Sequence, residues 1–198
     1  MIAPVDKATW RARMLAGRRA LPPTQLATAA ATLRVHLRRR LGGTRQVAAY
    51  VPTGPEPGSL DLLDDLLAGG TAVLLPVVRD ATGLDWAFYR GRAALVAGAR
   101  GTRHPTGPVL GRDAVTGADA VLVPALAVDH QGTRLGRGAG YYDRALARIA
   151  AGVPVVALLH DGELVPRLPG DTWDRPVTAV STPAQEWTEL PLVAHHEG

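Results

Sequence analysis

The chain has 198 residues, of which 46% are hydrophobic, and a formal net charge of +4 at neutral pH. Its length fits one domain, and its hydrophobic fraction is too high for a disordered chain. The absence of cysteine excludes disulfide scaffolds, cysteine nucleophiles and thiolate zinc sites, and no apolar run reaches the roughly 18 residues that a membrane-spanning helix needs.

Two helices are predicted near the start of the chain. Residues 6–19 form a short amphipathic pattern that ends before Pro22 and Pro23. Thr24 is the expected N-cap of a second helix, whose leucines recur at helical spacing up to residue 41, before two glycines.

The densest basic run, residues 38–40, falls in the last turn of that second helix, where cations interact favourably with the helix dipole. We prefer this interpretation to a nucleic-acid surface. Lys7 is the only lysine, so the other cations are arginines. Arginine suits phosphate and carboxylate ligands, but an alanine-, glycine- and arginine-rich composition explains the same bias without any ligand.

Apolar strands and helices alternate through the rest of the chain. Strands are predicted over residues 47–51, 72–78, 84–89, 120–128 (interrupted by Pro124), 153–159 and 177–181. Helices are predicted over 59–67, capped by Ser59, and from 141 to about 149. Residues 98–113 are expected to form a loop, and the polar residues from about 184 a disordered tail. This order predicts a single-domain, three-layer α/β/α fold with a mostly parallel central sheet.

The most informative segment is the glycine-rich stretch 129–143, which leaves a buried strand and enters a helix. Open α/β sheets bind ligands at this position. Alternating glycines let backbone amides converge on an anion, and the helix N-terminus adds unpaired donors. Arg134 and Arg137 are candidate phosphate ligands, and Asp143 is placed to hold a Mg²⁺ that bridges phosphates.

Each part of this segment also has an interpretation without a ligand. A glycine cluster is often only a turn, an aspartate is favourable in the first turn of any helix, and adjacent tyrosines often serve packing. The segment matches neither a Walker A loop nor a dinucleotide-binding fingerprint. Side-chain chemistry alone therefore predicts a phosphate site with a nucleotide as its ligand, and nothing more specific.

The string RLGRGAGYYD at residues 134–143, after VPALAVD at 123–129, resembles the signature of the 5-formyltetrahydrofolate cyclo-ligase family. The resemblance extends to KATWR at 7–11, YVP at 50–52 followed by Glu56, LLP at 74–76 and WDRPV at 173–177. It covers roughly residues 7–182.

The resemblance implies a Rossmann-like, CoA-transferase-like fold and an ATP- and Mg²⁺-dependent reaction. The γ-phosphoryl group of ATP activates the formyl oxygen of 5-formyltetrahydrofolate, and closure by nitrogen 10 gives 5,10-methenyltetrahydrofolate, ADP and phosphate. No protein nucleophile is required.

The resemblance also assigns roles by position. It implies that Val51 and Glu56 line the folate together with residues 137–141, that Asp143 is the metal ligand, and that Arg11, Arg137 and Tyr141 act in catalysis. The implied nucleotide-binding residues are Lys7, Arg11, Arg134, Leu135, Gly136, Arg137, Gly138, Ala139, Gly140, Tyr141 and Tyr142.

Two departures from the family pattern leave an alternative open. Ala139 replaces a residue that many relatives have as lysine or glycine, and Thr178 stands where some members have a second acidic metal ligand. Both changes reduce the charge expected around the phosphates. The alternative is a divergent paralogue that binds nucleotide or folate without catalysis.

Other functions find less support in the sequence. The six histidines show no metal-binding spacing, and the arginines match no nucleic-acid reader motif. Residues 1–7 lack the pattern of a signal peptide. We therefore expect a monomeric cytoplasmic enzyme whose partners are small molecules, with no nucleic acid and no membrane among them.

Overall fold

The structure is a computed structural model that describes residues 6–80, 83–98, 101–170 and 174–192. Residues 1–5, Trp173 of the C-terminal motif and the polar end that contains His195 and His196 lie outside the described residues. The described helices are α1 (Lys7–Ala20), α2 (Pro23–Leu41), α3 (Leu60–Ala68) and α4 (Tyr141–Leu146). The described strands are β1 (Gln46–Ala48), β2 (Ala72–Asp80), β3 (Gly83–Phe88), β4 (Leu95–Ala97), β5 (Arg103–Pro105), β6 (Ala120–Pro124), β7 (Ala127–Asp129), β8 (Arg134–Leu135), β9 (Val155–Leu158), β10 (Leu164–Val165), β11 (Ala179–Ser181) and β12 (Thr188–Glu189).

Side-chain caps mark the starts of α1 and α3. Asp6 caps α1 by accepting a hydrogen bond from the Thr9 amide, and Ser59 caps α3 by accepting one from Leu62. The prediction that Thr24 caps α2 is wrong. The helix begins at Pro23, two residues before the start that such a cap predicts, because proline at the first helical position has a suitable fixed φ and no amide to satisfy.

A seven-stranded sheet in the order β12-β11-β9-β6-β1-β2-β3 forms the centre of the fold. The pairs from β11 to β2 are parallel, and the two edge strands, β12 and β3, pair antiparallel with their neighbours. This confirms the predicted α/β fold with a mostly parallel sheet. The carboxyl ends of β1, β6 and β9 lie at one edge of the sheet, and the loops that follow them meet there.

Helices cover both faces of the sheet. Leucines of α2 and α3 pack on one face against the residues of β1 and β2 that point toward them, and α4 packs on the other face. A small sheet, β10-β7-β8, lies beyond β6, and its apolar side packs against Trp10, Met14 and Leu15 of α1. Burial of these apolar surfaces is the main force that holds the layers together.

Several predicted boundaries are wrong. The strand predicted over 120–128 is two strands in different sheets, because β6 ends at Pro124 and β7 joins the small sheet. The loop predicted over 98–113 contains β5, which forms a hairpin with β4. The last predicted helix ends at Leu146 rather than near 149.

The prediction of a disordered tail from about residue 184 is wrong for residues 184–192. The strand β12 pairs with β11, and the Leu192 amide donates to the carbonyl of His130. The backbone of this segment therefore pairs with β11 of the central sheet and with the residue that follows β7 of the small sheet. In the described part of the chain, no helix combines the length and the apolar character needed to cross a membrane.

Candidate functional site

The glycine-rich segment begins at a carboxylate that is used for structure. Asp129 is 2% exposed, and its Oδ1 atom accepts hydrogen bonds from the amides of Gln131 and Thr133 at 3.0 and 2.8 Å. Its Oδ2 atom accepts a third from Leu168 at 3.1 Å. The first two bonds form the β7–β8 turn, and the third ties this turn to the segment after β10.

The exposed part of the loop follows β8. Residues 137–139 are exposed, and Gly138 and Gly140 have φ values of +100° and +65°. Within the described part of the chain, no backbone amide of residues 136–140 donates to a protein group. Free amides in a turn of this kind are the donors that anion-binding loops offer.

Arg134 and Asp143 form an ion pair with each other. The Arg134 Nη2 atom lies 2.7 Å from Asp143 Oδ1, and the arginine side chain is only 5% exposed. The guanidinium also lies over the Tyr142 ring, 5.7 Å from its centroid. A Cβ atom on Gly136 would lie 3.0 Å from Arg134 Nη1, so a larger residue there would force the buried guanidinium to shift. The sequence assigned these two side chains to a phosphate and to a metal, and the structure joins them.

Glu56 and Arg137 join two loops across the site. The Arg137 Nη2 atom lies 2.9 Å from Glu56 Oε1. The second carboxylate oxygen of Glu56 accepts hydrogen bonds from the amide and the hydroxyl of Thr53, both at 2.9 Å. Glu56 follows β1 and Arg137 follows β8, so the two loops meet at the carboxyl edge of the sheet. Val51, also assigned to the folate, is buried at the start of the first loop.

The N-terminal helix reaches the same loop. The Arg11 Nε atom donates to the carbonyl of Gly136 at 2.9 Å, and a Cβ atom on Gly138 would lie 3.6 Å from Arg11 Cζ. The Arg11 guanidinium therefore lies beside the loop. Lys7 forms a 2.8 Å ion pair with Asp174, which belongs to the C-terminal motif.

The two tyrosines start α4 and pack against the core. Both are partly buried against the apolar cluster under the sheet, and burial raises the pKa of Tyr142 above its usual value. Tyr141 lies under the Arg144 guanidinium at 5.3 Å, and Arg144 also donates to the carbonyl of Ala139. Of the other assigned residues, Leu135 is buried in the cluster beside α1.

Thr178 is exposed just before β11, and its side chain bonds to the start of β9. Its hydroxyl accepts a hydrogen bond from the Val155 amide at 2.9 Å and lies 3.3 Å from the Val155 carbonyl, to which it donates. This side chain completes the pairing of β9 with the segment before β11. The hydroxyl is thus bonded to the backbone at the start of β9, at the amino end of the parallel strands.

The fit of the site to a metal ion is limited. Among the residues that the structure describes, no three histidine, aspartate or glutamate side chains form a cluster suited to a metal ion. Mg²⁺ is commonly held by one or two carboxylates together with substrate phosphates and water. Asp143 fits such a role only if its carboxylate binds the ion and Arg134 together, or if the ion pair with Arg134 breaks when the ion binds.

A second group of polar residues was missed by the sequence analysis. Arg18, Glu163 and His160 are each less than 8% exposed and form one hydrogen-bonded network beside the Glu56 loop. One signal was available, because Arg18 follows Met14 by four residues and lies on the apolar side of α1. An arginine at such a position indicates a buried partner.

The comparisons with known proteins include every site residue described above. The model of the 5-formyltetrahydrofolate cyclo-ligase family matches residues 3–183. A curated protein of that name from Mycolicibacterium smegmatis is 45% identical over 187 residues, which are 92% of this chain and 96% of the relative. Its namesake from Escherichia coli K12 is 32% identical over 144 residues, 71% of this chain and 79% of the relative. The solution structure of Aquifex aeolicus 5,10-methenyltetrahydrofolate synthetase is 27% identical, with a TM-score of 0.78 and coverage of 96% and 98%.

Proposed function

Because the chain belongs to the 5-formyltetrahydrofolate cyclo-ligase family, we propose that it catalyses the ATP-dependent cyclisation of 5-formyltetrahydrofolate to 5,10-methenyltetrahydrofolate. The observation that carries this proposal is the contact between Glu56 and Arg137. This contact brings the Glu56 carboxylate and the loop 136–140 together at one edge of the sheet, which supports a site where both substrates meet.

The loop 136–140 supplies the phosphate site in this proposal. Its amides are available, Arg137 belongs to it, and the Arg11 guanidinium lies beside it. Lys7 extends the positive charge along α1. The nucleotide contacts that we propose are those implied by the family resemblance, namely Lys7, Arg11 and residues 134–142.

Glu56 supplies the folate end of the site. A carboxylate accepts hydrogen bonds, so it complements the amino and ring N–H groups of a pterin. Burial leaves the Glu56 side chain 10% exposed, which strengthens such bonds relative to bonds in water. Val51 and residues 137–141 would complete the contact with the folate.

The chemistry then requires two steps. The γ-phosphoryl group of ATP moves to the formyl oxygen, which gives ADP and a carbon with a good leaving group. Nitrogen 10 attacks that carbon, loses its proton and expels phosphate. We propose that Arg11 and Arg137 stabilise the charge on the transferring group and that Tyr141 helps to position the formyl group.

Asp143 is the residue that would hold Mg²⁺. The ion supplies charge neutralisation between the phosphate groups of ATP when it is bound. Asp143 lies in the first turn of α4, shortly after the loop 136–140, and its carboxylate pairs with Arg134. We also propose a cytoplasmic location and a monomeric state. Analytical ultracentrifugation of the purified protein checks the monomeric state.

The test is a spectrophotometric assay for the methenyl product. With 5-formyltetrahydrofolate, ATP and Mg²⁺, we expect product absorbance together with equal amounts of ADP and phosphate, and no product without ATP. Absent turnover with authentic substrates would refute the proposal. ATP or folate binding measured by calorimetry without turnover would favour the non-catalytic paralogue.

A further inference from the structure

Three polar side chains are buried behind the proposed folate site. Arg18, Glu163 and His160 are 3%, 6% and 7% exposed. The Arg18 Nε and Nη2 atoms donate to the two carboxylate oxygens of Glu163 at 2.7 and 2.8 Å. This two-bond geometry is the strongest form of an arginine–carboxylate pair. We call these three side chains the Arg18 network.

The network ends on the backbone of two loops at the carboxyl edge of the sheet. Glu163 Oε2 accepts a hydrogen bond from the His160 amide at 2.8 Å, and His160 Nε2 lies 2.9 Å from the carbonyl of Pro55. A carbonyl oxygen only accepts, so Nε2 is the protonated ring nitrogen. Arg18 also donates to the carbonyl of Ala125 at 2.6 Å.

Pro55 directly precedes Glu56, so its carbonyl belongs to the peptide bond that joins the two residues. Tyr50 donates from its hydroxyl to the carbonyl of Pro57 at 2.6 Å, on the other side of Glu56. Glu56 is therefore flanked by two anchored carbonyls. The Tyr50 anchor belongs to the same loop, whereas the His160 anchor connects the loop to α1 and to the segment after β9.

Stability alone gives a poor account of this arrangement. Removing two charges from water costs several kcal/mol per ion, and well-packed apolar residues are often as stable as a buried ion pair. A buried network that ends on the residue before a binding carboxylate has a second use, since it fixes where that carboxylate lies.

We infer that Arg18, Glu163 and His160 are positioning residues that set the location of Glu56 and thereby the affinity for the reduced folate, with little effect on ATP. The inference rests on the proposed folate contact of Glu56. It predicts that substitutions in the Arg18 network raise the KM for the folate and leave the KM for ATP unchanged. General destabilisation of the protein does not produce this difference.

The first experiment compares substitutions of His160. His160→Leu removes the donor, His160→Asn keeps a polar group that is too short to reach Pro55, and His160→Gln carries an amide at about the reach of Nε2. We expect the first two variants to raise the KM for 5-formyltetrahydrofolate roughly five- to tenfold, the effect of one lost buried hydrogen bond. The KM for ATP should stay within about twofold in all variants, and His160→Gln should recover most of the folate affinity.

The second experiment does not need turnover. Hydrogen–deuterium exchange of the peptide 53–58 should become at least about threefold faster in His160→Leu or His160→Asn, while exchange in α3 stays unchanged. His36→Leu, a matched histidine substitution in α2, should leave the peptide 53–58 unaffected. If wild-type protein fails to cyclise the substrate, the proposed function falls and the exchange data still decide whether the network holds this loop.

Two results would overturn the inference. One is equal rises in both KM values, which indicates a general loss of structure. The other is unchanged exchange in 53–58 for both His160→Asn and His160→Leu. If His160→Leu does not fold, the comparison of His160→Asn with His160→Gln gives the same decision.

Discussion

The Arg137 guanidinium lies 2.9 Å from Glu56, and the two side chains differ sharply in exposure, 57% for the arginine and 10% for the glutamate. The glutamate is held by Thr53 whether or not the arginine is present. The arginine is an exposed side chain on a glycine-rich loop. The fixed member of the pair is therefore Glu56, and Arg137 is the member that is free to move toward a phosphate.

The first prediction concerns Arg137. We expect Arg137→Ala to lower kcat by about 10²–10³-fold, the typical effect of removing one group that stabilises transition-state charge. The free energy of unfolding should change by less than about 1 kcal/mol, because ion pairs with an exposed partner contribute little. Steady-state kinetics and urea denaturation measure the two effects.

Two further variants sharpen this comparison. Arg137→Lys keeps the charge without the planar donor group, so its kcat should fall between those of wild type and Arg137→Ala. Arg39→Ala removes an arginine that pairs with Glu186 on the surface, and its kcat should equal the wild-type value. Wild-type turnover in Arg137→Ala would remove this residue from the proposed mechanism.

The second prediction concerns Asp143 and its partner Arg134. Asp143→Ala leaves the buried Arg134 guanidinium without its counter-charge, so we expect the free energy of unfolding to fall by about 1–3 kcal/mol, less than for a fully buried pair. The double variant Arg134→Met with Asp143→Ala should recover most of this loss. Urea denaturation in the presence of a chelator measures it without any metal.

A purely metal-binding role for Asp143 gives a different outcome. Asp143→Ala would then be as stable as wild type in chelator, and only the Mg²⁺ concentration needed for half-maximal turnover would rise. We expect both effects, a loss of stability and a weaker response to Mg²⁺. An unchanged Mg²⁺ response would contradict the proposed metal role, while the structural role would stand.

The sequence predicted the parts of the fold that depend on local pattern. The buried strands around residues 47, 73, 121 and 156 and the Ser59 cap follow from apolar runs and from a single capping residue. The small sheet was missed, because strands of two or three residues carry too little pattern to detect. Pro124 was seen as an interruption, but no local signal shows that the chain changes sheets there.

The partners of the charged residues could not be predicted in the same way. Lys7 pairs with Asp174, which is 167 residues away, and Arg11 contacts Gly136, which is 125 residues away. Periodicity and spacing carry no information on such contacts. The motifs indicated which residues belong to one site, and only the three-dimensional structure showed that Arg134 and Asp143 pair with each other.

The third prediction concerns stability at high pH. Burial, with the negative charge of Glu56, raises the pKa of Tyr50 well above the usual value of 10, and burial raises that of Tyr142 in the same direction. A tyrosine whose pKa is higher in the folded state stabilises the fold. This contribution is complete at pH values below the pKa of the unfolded chain, which is about 10. This contribution is lost as the pH rises from there toward the folded pKa, since the unfolded state releases its protons first.

Few other groups mask this effect, because Lys7 is the only lysine and cysteine is absent. We expect the free energy of unfolding to fall steeply above about pH 10 in wild type and less steeply in Tyr50→Phe. Urea denaturation at several pH values between about 8.5 and 11.5 measures the slopes. Tyr50→Phe also loses its hydrogen bond to Pro57 at every pH, so the slope and not the absolute value is the test. Equal slopes would contradict the pKa assignment.

The fourth prediction compares two glycines that differ in their surroundings. Gly132 has a φ of +88°, and a Cβ atom there would lie 2.4 Å from the carbonyl oxygen of Val177. Gly17 lies within α1, and a Cβ atom added to it would have no neighbour within 4 Å. Gly132→Ala should therefore cost more than about 3 kcal/mol, from strain and overlap together. Gly17→Ala should stabilise the protein by about 0.5–1 kcal/mol, because alanine is the better helix former.

Activity adds a second readout to the glycine comparison. Gly132 forms the β7–β8 turn and its carbonyl accepts a backbone hydrogen bond from Val177, so a Cβ atom there must push the turn away from the segment that enters β11. The strand β8, which carries Arg134, and the loop with Arg137 follow directly from this turn. Gly132→Ala should thus lower turnover even at temperatures where the protein remains folded by circular dichroism, and Gly17→Ala should keep wild-type turnover. If a folded Gly132→Ala protein turned over at the wild-type rate, the position of the β7–β8 turn would not control the loop, and the site would have to be held by Arg11 and Glu56 instead.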